Sequence, residues 1–244
     1  MNIDMQAWKE YYSDEQNLLK IANACKFREV VVIKHLEDRN VPIRPLKIFA
    51  LPHILFWIER LSLKTTLFDL YVSNASIRLP LMTSDIKKFD EARKYLSENW
   101  LKIATSYDIF VDVDIDDERQ RPQAKEMAIR MADELRKQYP TVQVWDTSRG
   151  YHCIILGRFT PSFAKETVMD ACCKLDIPMS IPVKEMDGIR YIPRKGKWVK
   201  MKLDDTIEET LKPDVDTKIF DDRRIRRCAF SLHSKTGKPM VRVV

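Results

Sequence analysis

The segment 107–117, YDIFVDVDIDD, constrains the fold more than any other stretch of this 244-residue chain. Its period-two alternation predicts a strand with Ile109, Val111, Val113 and Ile115 on one face and Asp108, Asp112, Asp114 and Asp116 on the other. The apolar face needs a core to cover it, and the acidic face carries a cost. Two carboxylates about 6 Å apart repel by roughly 3 kcal/mol at an effective dielectric near 20, and divalent cations remove that repulsion. Mg²⁺ or Mn²⁺ suits carboxylate oxygens, and two such ions about 4 Å apart can activate a hydroxyl while neutralising a triphosphate. The bare D-x-D pattern does not choose between this chemistry, a solvated strand end and the acids of a sugar-nucleotide transferase.

The surrounding pattern sets the fold class. Beyond the acidic strand, a helix over 122–138 opened by Pro122 is followed by strands at 141–146 and 151–157. A helix over 161–175 then begins behind Thr160 as its cap. Before the acidic strand, residues 5–26 read as helix with a break near Ser13, and FREVVVIK and TTLFDLYV read as strands. The apolar run at 46–61 reads as a buried helix that Pro52 kinks or divides. Thr83 or Ser84 is placed to cap a helix ending near Asn99, with Asp85 in its first turn. GIRYIP, KWVKMK and PMVRVV suggest short strands, and TIEETLK a helical turn or two. The expected class is mixed α/β. Without a repeat or long linker, one domain over 1–244 is expected, with an N-terminal helical lobe and first strands at 1–100 and the core at 101–244.

Composition removes several alternatives. With 45% hydrophobic residues the chain can bury a core, yet no run of about 18 apolar residues exists. The opening MNIDMQAWKEYY lacks the basic-then-apolar layout of a signal peptide, so no membrane association and a cytoplasmic location are expected. Five cysteines without C-x-x-C spacing and only four histidines give no support to a zinc site. The net charge of +6 is modest but uneven: residues 218–242 hold eight Lys/Arg against two acids, whereas every charged residue of 108–118 is acidic. An acidic metal-binding spot and a basic phosphate-binding spot can therefore coexist.

Two further clusters extend the pattern. In WDTSRGYHCIILG, a polar turn with Gly150 joins two strands, in a chain with only five glycines. Arg149 and His152 at that hairpin mouth can donate hydrogen bonds to phosphate oxygens; the plain alternative is an ordinary solvent-facing hairpin. In DVDTKIFDDRRIRRCAFSLHSKTGKP, Asp214 and Asp216 precede Arg223, Arg224, Arg226 and Arg227, then Ser231, His233, Lys235 and Gly237. That segment can add an acid to a metal site and cations to a triphosphate, or serve as a basic surface loop for nonspecific nucleic-acid contact.

Taken in order, the three clusters resemble the archaeo-eukaryotic primase superfamily, closest to the DNA primase small (catalytic) subunit. That family has an apolar strand with D-x-D, an S-x-R-G-Y-H-like turn, and a carboxylate followed by R-L-I-R-x-P-x-S-L-H-x-K-T-G; here stand Asp112 and Asp114, SRGYH at 148–152 and RIRRCAFSLHSKTG at 224–237. KEYY, FREVVV and LYVSNASIRLP match more loosely, so the similarity covers nearly the whole chain. The resemblance implies a catalytic core of mixed sheets around a metal cleft with peripheral helices. It implies template-directed nucleotidyl transfer that makes primers from NTPs or dNTPs on single-stranded DNA. Asp112, Asp114 and a third carboxylate, Asp216 or alternatively Asp214, would bind two Mg²⁺ or Mn²⁺ ions; Ser148, Arg149, His152, Arg227, His233 and Lys235 fall at nucleotide-binding positions. Asp146 departs from the family's frequent serine, and Cys228 and Ala229 replace its proline-bearing stretch. The family's small subunit works with a large subunit carrying an iron–sulfur cluster, which makes such a subunit a candidate partner. A repair or gap-filling polymerase of the same superfamily shares the metal centre, and a noncatalytic single-strand-binding subunit would carry the acids as a solvated strand end.

Overall fold

The computed structural model describes residues 3–46, 48, 50–77, 89–115, 118–180, 184–186, 189–194, 197–200 and 214–244. Asp4 and Asp14 each accept hydrogen bonds from amides of the turn that follows, so the N-terminal segment forms two helices, α1 (Met5–Tyr11) and α2 (Glu15–Ala24), with the break at Ser13. β1 (Arg28–His35) pairs with β2 (Asn40–Leu46), a strand the sequence did not suggest because Pro42 and Pro45 argue against one. It ends the order of the sheet, and an edge strand tolerates missing amide donors. Pro52 falls in the first turn of α3 (Leu51–Arg60), where its absent N–H would be unpaired anyway, so it opens that helix and does not kink it.

β3 (Phe68–Ile77), α4 (Phe89–Ile103) and β4 (Ala104–Asp114) follow, with Asn99 out of helical geometry inside α4. Next come α5 (Arg121–Arg136), β5 (Gln143–Asp146), β6 (Gly150–Phe159) and α6 (Pro161–Leu175), the last capped by Thr160 Oγ1 accepting from Phe163 N at 3.3 Å. β7 (Lys184–Met186), β8 (Ile189–Arg194) and β9 (Lys197–Lys200) form a separate small sheet. β10 (Asp214–Val215), β11 (Ile225–Arg227) and β12 (Val241–Arg242) complete the described elements. The expected cap at Thr83 or Ser84, Asp85, Asp116 and the TIEETLK segment lie outside the described residues.

Nine strands join in one sheet in the order β12-β5-β6-β4-β3-β1-β2, with β10 against β4 and β11 against β3. Its ladders are antiparallel, and together with the helices they give the mixed α/β class that the alternation implies. Ala124, Met127, Ala128, Met131 and Leu135 of α5 share a core with Val111, Val113 and Cys153. Cys153 Sγ lies 3.2 Å from Ala128 O, which identifies the face of β6, and of the paired Val111 on β4, that is turned to α5. Asp112 and Asp114, one residue out of phase, therefore stand on the opposite face. A second cluster joins Trp8, Tyr12, Leu18 and Ile21 to Trp57, Ile58, Phe68 and Leu70, and a third seats Leu96, Trp100 and Ile103 on Ala75 and Ile77. Trp57, Trp100 and Trp145 are all buried, a core role; the side chain of Trp198 lies outside the described residues. No helix among the described residues is long and apolar enough to cross a membrane.

Candidate active site

The ladder between β4 and β6 brings the first two sequence clusters together. Asp112 is paired with His152, and Asp114 with Gly150. A Cβ on Gly150 would sit 2.3 Å from Val113 O, so only glycine lets the two strands approach at the end where the acids lie. Gly150→Ala is expected to lower stability by about 3 kcal/mol through forced separation of backbone from backbone, read as a fall in the urea unfolding midpoint.

On the other edge of β4, β10 places Asp214 opposite Asp114, and the amide of Asp216 donates to Asp112 O at 3.0 Å. Among the described residues, oxygens of Asp112, Asp114 and Asp216 lie within 4.8 Å of one another. Asp214 is buried and stands outside that group of three. Asp216 Oδ1 also accepts from Lys218 N at 2.9 Å, which caps the short 3₁₀ turn at 217–220 and fixes the side chain. Cationic and polar groups among the described residues touch the acids: His152 Nε2 is 3.2 Å from Asp112 Oδ1, and Arg224 Nη2 is 2.8 Å from Asp216 Oδ2 and 3.7 Å from Asp112 Oδ2. Such a donor set, all oxygen and partly shielded, suits a hard divalent cation.

Asp108 corrects the picture of a uniform acidic face. It shares the parity of Asp112, but its carboxylate is fully buried between Arg28 Nη2 at 2.7 Å and Arg226 Nη2 at 2.9 Å, and it also accepts from Gly157 N. Two arginines have neutralised it, so it is a structural charge and takes no part in the acid cluster.

The SRGYH turn is clamped from several sides. Ser148 is a non-glycine residue at φ +66°, a conformation that needs external support. Its amide donates to Asp146 Oδ1 at 2.6 Å, its hydroxyl pairs with Thr236 Oγ1 at 2.8 Å, and its carbonyl accepts from Arg121 Nη2 at 2.6 Å. Arg121 Nη1 also reaches Asp146 at 3.1 Å. The aspartate that departs from the family's serine thus ties the turn to α5. Thr147 adds a bond of its own, with Oγ1 donating to Gly150 O.

Arg227, buried, reaches across to the same turn. Its guanidinium donates to Thr147 O at 2.9 Å, Ser231 O at 3.0 Å and Lys238 O at 3.5 Å, which links the SRGYH turn to the SLHSKTG turn. Burial lowers its pKa, opposed chiefly by the charge of Asp69. That aspartate holds the second turn in place. Asp69 accepts from the amide and hydroxyl of Ser234 at 2.9 and 2.7 Å, and His35 Nε2 stands 2.7 Å away. Burial alone would raise the Asp69 carboxyl, but the Ser234 bonds and the neighbouring histidines bring it below its ordinary value.

His233 Nδ1 accepts from Lys235 N at 2.9 Å, so its proton sits on Nε2 and the ring presents a neutral N–H donor. Burial, reinforced by Arg227, lowers its pKa from 6.5 to about 4. In the unfolded chain the ring takes up a proton through 6.5, whereas in the fold it stays neutral until about pH 4, so stability falls as pH drops across that window. Asp69 acts below the window, since its lowered carboxyl loses stabilisation only under its ordinary 3.8. His233→Asn, which keeps an acceptor for Lys235 N, is expected to flatten the fall in urea midpoint between pH 6.5 and 4.5; an unchanged slope counts against the assignment.

A cavity of about 320 Å³ is lined by Asp112, Asp114, Thr147, Arg149, His152, Arg224, Arg226, Arg227, His233, Tyr71, Ile115 and Ile225. Arg149 is exposed, while Ser148 and Lys235 stand outside the lining. All three sequence clusters therefore contribute to one pocket. Tyr71 and Arg224 also line it, while Asp69 and Arg121 brace its turns from outside; the sequence had placed Arg224 only within a basic run and given the other three no role. LYVSNASIRLP flagged the neighbourhood of Tyr71, and the basic run that of Arg224, but the contacts that select them are long-range. Burial raises the Tyr71 phenol, with Asp69 and Asp112 adding to the shift.

No protein-family model matches the sequence, and no curated protein matches it. Among solved structures, the polymerase domain of Mycobacterium tuberculosis Ligase D, determined in complex with DNA, superposes with a TM-score of 0.56 at 12% identity, covering 98% of this chain and 80% of that one. The chain thus has the mixed α/β fold of that polymerase domain.

Proposed function

We propose that this chain is the catalytic core of a primase-polymerase, a template-directed nucleotidyl transferase that builds primers from nucleoside triphosphates on single-stranded DNA. The observation that carries the reading is one pocket lined by Asp112, Asp114, Arg149, His152, Arg227 and His233, with Asp216 beside the two acids. The motif order favours kinship with the primase small subunit, and residues 1–244 are read as a single catalytic domain.

Asp112, Asp114 and Asp216 would hold Mg²⁺ or Mn²⁺. When bound, such a pair lowers the pKa of an attacking 3′-hydroxyl and neutralises charge on the departing pyrophosphate. Arg149, exposed at the mouth, and His233, with its Nε2–H turned out by the Lys235 bond, are the donors for the triphosphate. Neutral His233 donates without adding a charge, so its donation persists across the physiological pH range. His152 orients Asp112 through its 3.2 Å contact, and Arg227 keeps the two donor-bearing turns in register. Ser148 supports Arg149 through the turn, and Lys235 is an exposed cation whose charge acts on His233. Possible partners are the DNA template, NTPs or dNTPs and a primase large subunit.

A second reading has support of its own: the structural likeness is to a polymerase domain from a ligase bound to DNA, which favours extension of existing ends. Single-stranded DNA with labelled NTPs or dNTPs and Mn²⁺, with and without an annealed primer, separates them. Primer-independent product supports the first reading; product only from primed ends supports the second. No product in either case removes both.

A further inference from the structure

Of the cations lining the pocket, Arg224 lies directly on the carboxylates. Its Nη2 is 2.8 Å from Asp216 Oδ2 and 3.7 Å from Asp112 Oδ2, so it touches two of the three clustered acids. The other arginines are engaged elsewhere: Arg227 with carbonyls, Arg226 with Asp108, and Arg149 at the exposed mouth. Arg224 Nε is buried with no hydrogen-bond partner among the described residues, so among them it is the Nη2 contacts that hold the guanidinium on the acids. Arg224 O accepts from Asn74 N at 2.9 Å, which anchors the backbone from which the side chain reaches the acids.

Resting on the metal-centre reading above, we infer that Arg224 competes with the divalent cation for Asp112 and Asp216 and yields those oxygens when the cation binds. Electrostatics requires some such exchange. Three clustered carboxylates attract any cation strongly, and a guanidinium on two of them opposes a second positive charge at the same oxygens. Once displaced, the guanidinium remains in a pocket that also holds Arg149 and His233, and its planar fork fits phosphate oxygens as well as carboxylates. Arg224 is thus a positioning residue that couples two ligands: cation binding releases it, and a triphosphate that engages it clears the acids. By linkage the coupling runs equally in both directions.

The test is Mn²⁺ titration without nucleotide or DNA, followed by the electron paramagnetic resonance signal of the free ion and by calorimetry. Arg224→Gln and Arg224→Ala are each expected to bind Mn²⁺ about tenfold more tightly than wild type, and Arg224→Lys to fall between. A purely structural role predicts the opposite sign, because a damaged pocket binds more weakly. Affinity that is unchanged or weaker in both neutral variants overturns the inference, while wild-type Mn²⁺ binding lost in Asp112→Asn keeps the metal centre standing. If neither wild type nor variants bind Mn²⁺, the metal centre falls and the competition with it.

Discussion

Asp112→Asn is expected to reduce nucleotide incorporation by about three orders of magnitude, the scale seen when a single group that stabilises transition-state charge is removed. The asparagine keeps the size of the side chain and its place opposite His152, but an amide is a poor ligand for a hard cation and carries no charge. The fold should survive. Oxygens of three acids crowd within 4.8 Å, so loss of one charge relieves repulsion, and Arg224 retains its shorter contact, with Asp216. The informative measurement is therefore a pair: incorporation of labelled nucleotide, and the urea midpoint of the same protein. Activity near wild type, or a collapse of stability in parallel with activity, is incompatible with the role given to Asp112.

Four residues away on the same face of the same strand, Asp108→Asn should do the reverse. Its carboxylate has no exposed surface and bridges Arg28 and Arg226, so the substitution leaves two guanidiniums in the interior without their counter-charge. Breaking a buried pair by removing one partner costs about 3–5 kcal/mol, a large share of the stability of a typical domain. The effect should appear as a deep fall in urea midpoint at neutral pH. Pairing the change with Arg28→Met should recover part of the loss, because one of the stranded charges goes with it. Burial already lowers the pKa of Arg226, with Asp108 supplying the main opposing stabilisation. A stability change under 1 kcal/mol would mean that water or another group shields the arginines, contrary to the packing seen.

These two aspartates also mark where sequence reading works. Alternation places the residues of β4 on their faces because the side-chain period is local, and Thr160 with Pro161 defines the start of α6 for the same reason. The motifs at 148–152 and 224–237 supplied Arg149, His152 and His233, all of which line the acidic pocket. What separates Asp108 from Asp112 is distant: Arg28 lies 80 residues earlier and Arg226 lies 118 residues later. Nor could spacing decide between Asp214 and Asp216, since which carboxylate joins the cluster depends on how β10 docks against β4. β2 was hidden by its prolines, whose missing amide donors a sheet edge tolerates. Arg121 stands just before Pro122, where the sequence opens the helix, and carries no local signal, yet it secures the SRGYH turn across a gap of 27 residues.

The strands β10, β11 and β12 follow the other strands of the sheet in sequence, yet they pair with β4, β3 and β5 respectively. Each of these pairings spans a long stretch of sequence, so loop closure has to precede it. Asp216 and His233 lie on the stretch that carries these three strands, so the pairings bring in the third acid and the neutral N–H donor together. Closing the sheet and assembling the acidic pocket thus become a single event of folding.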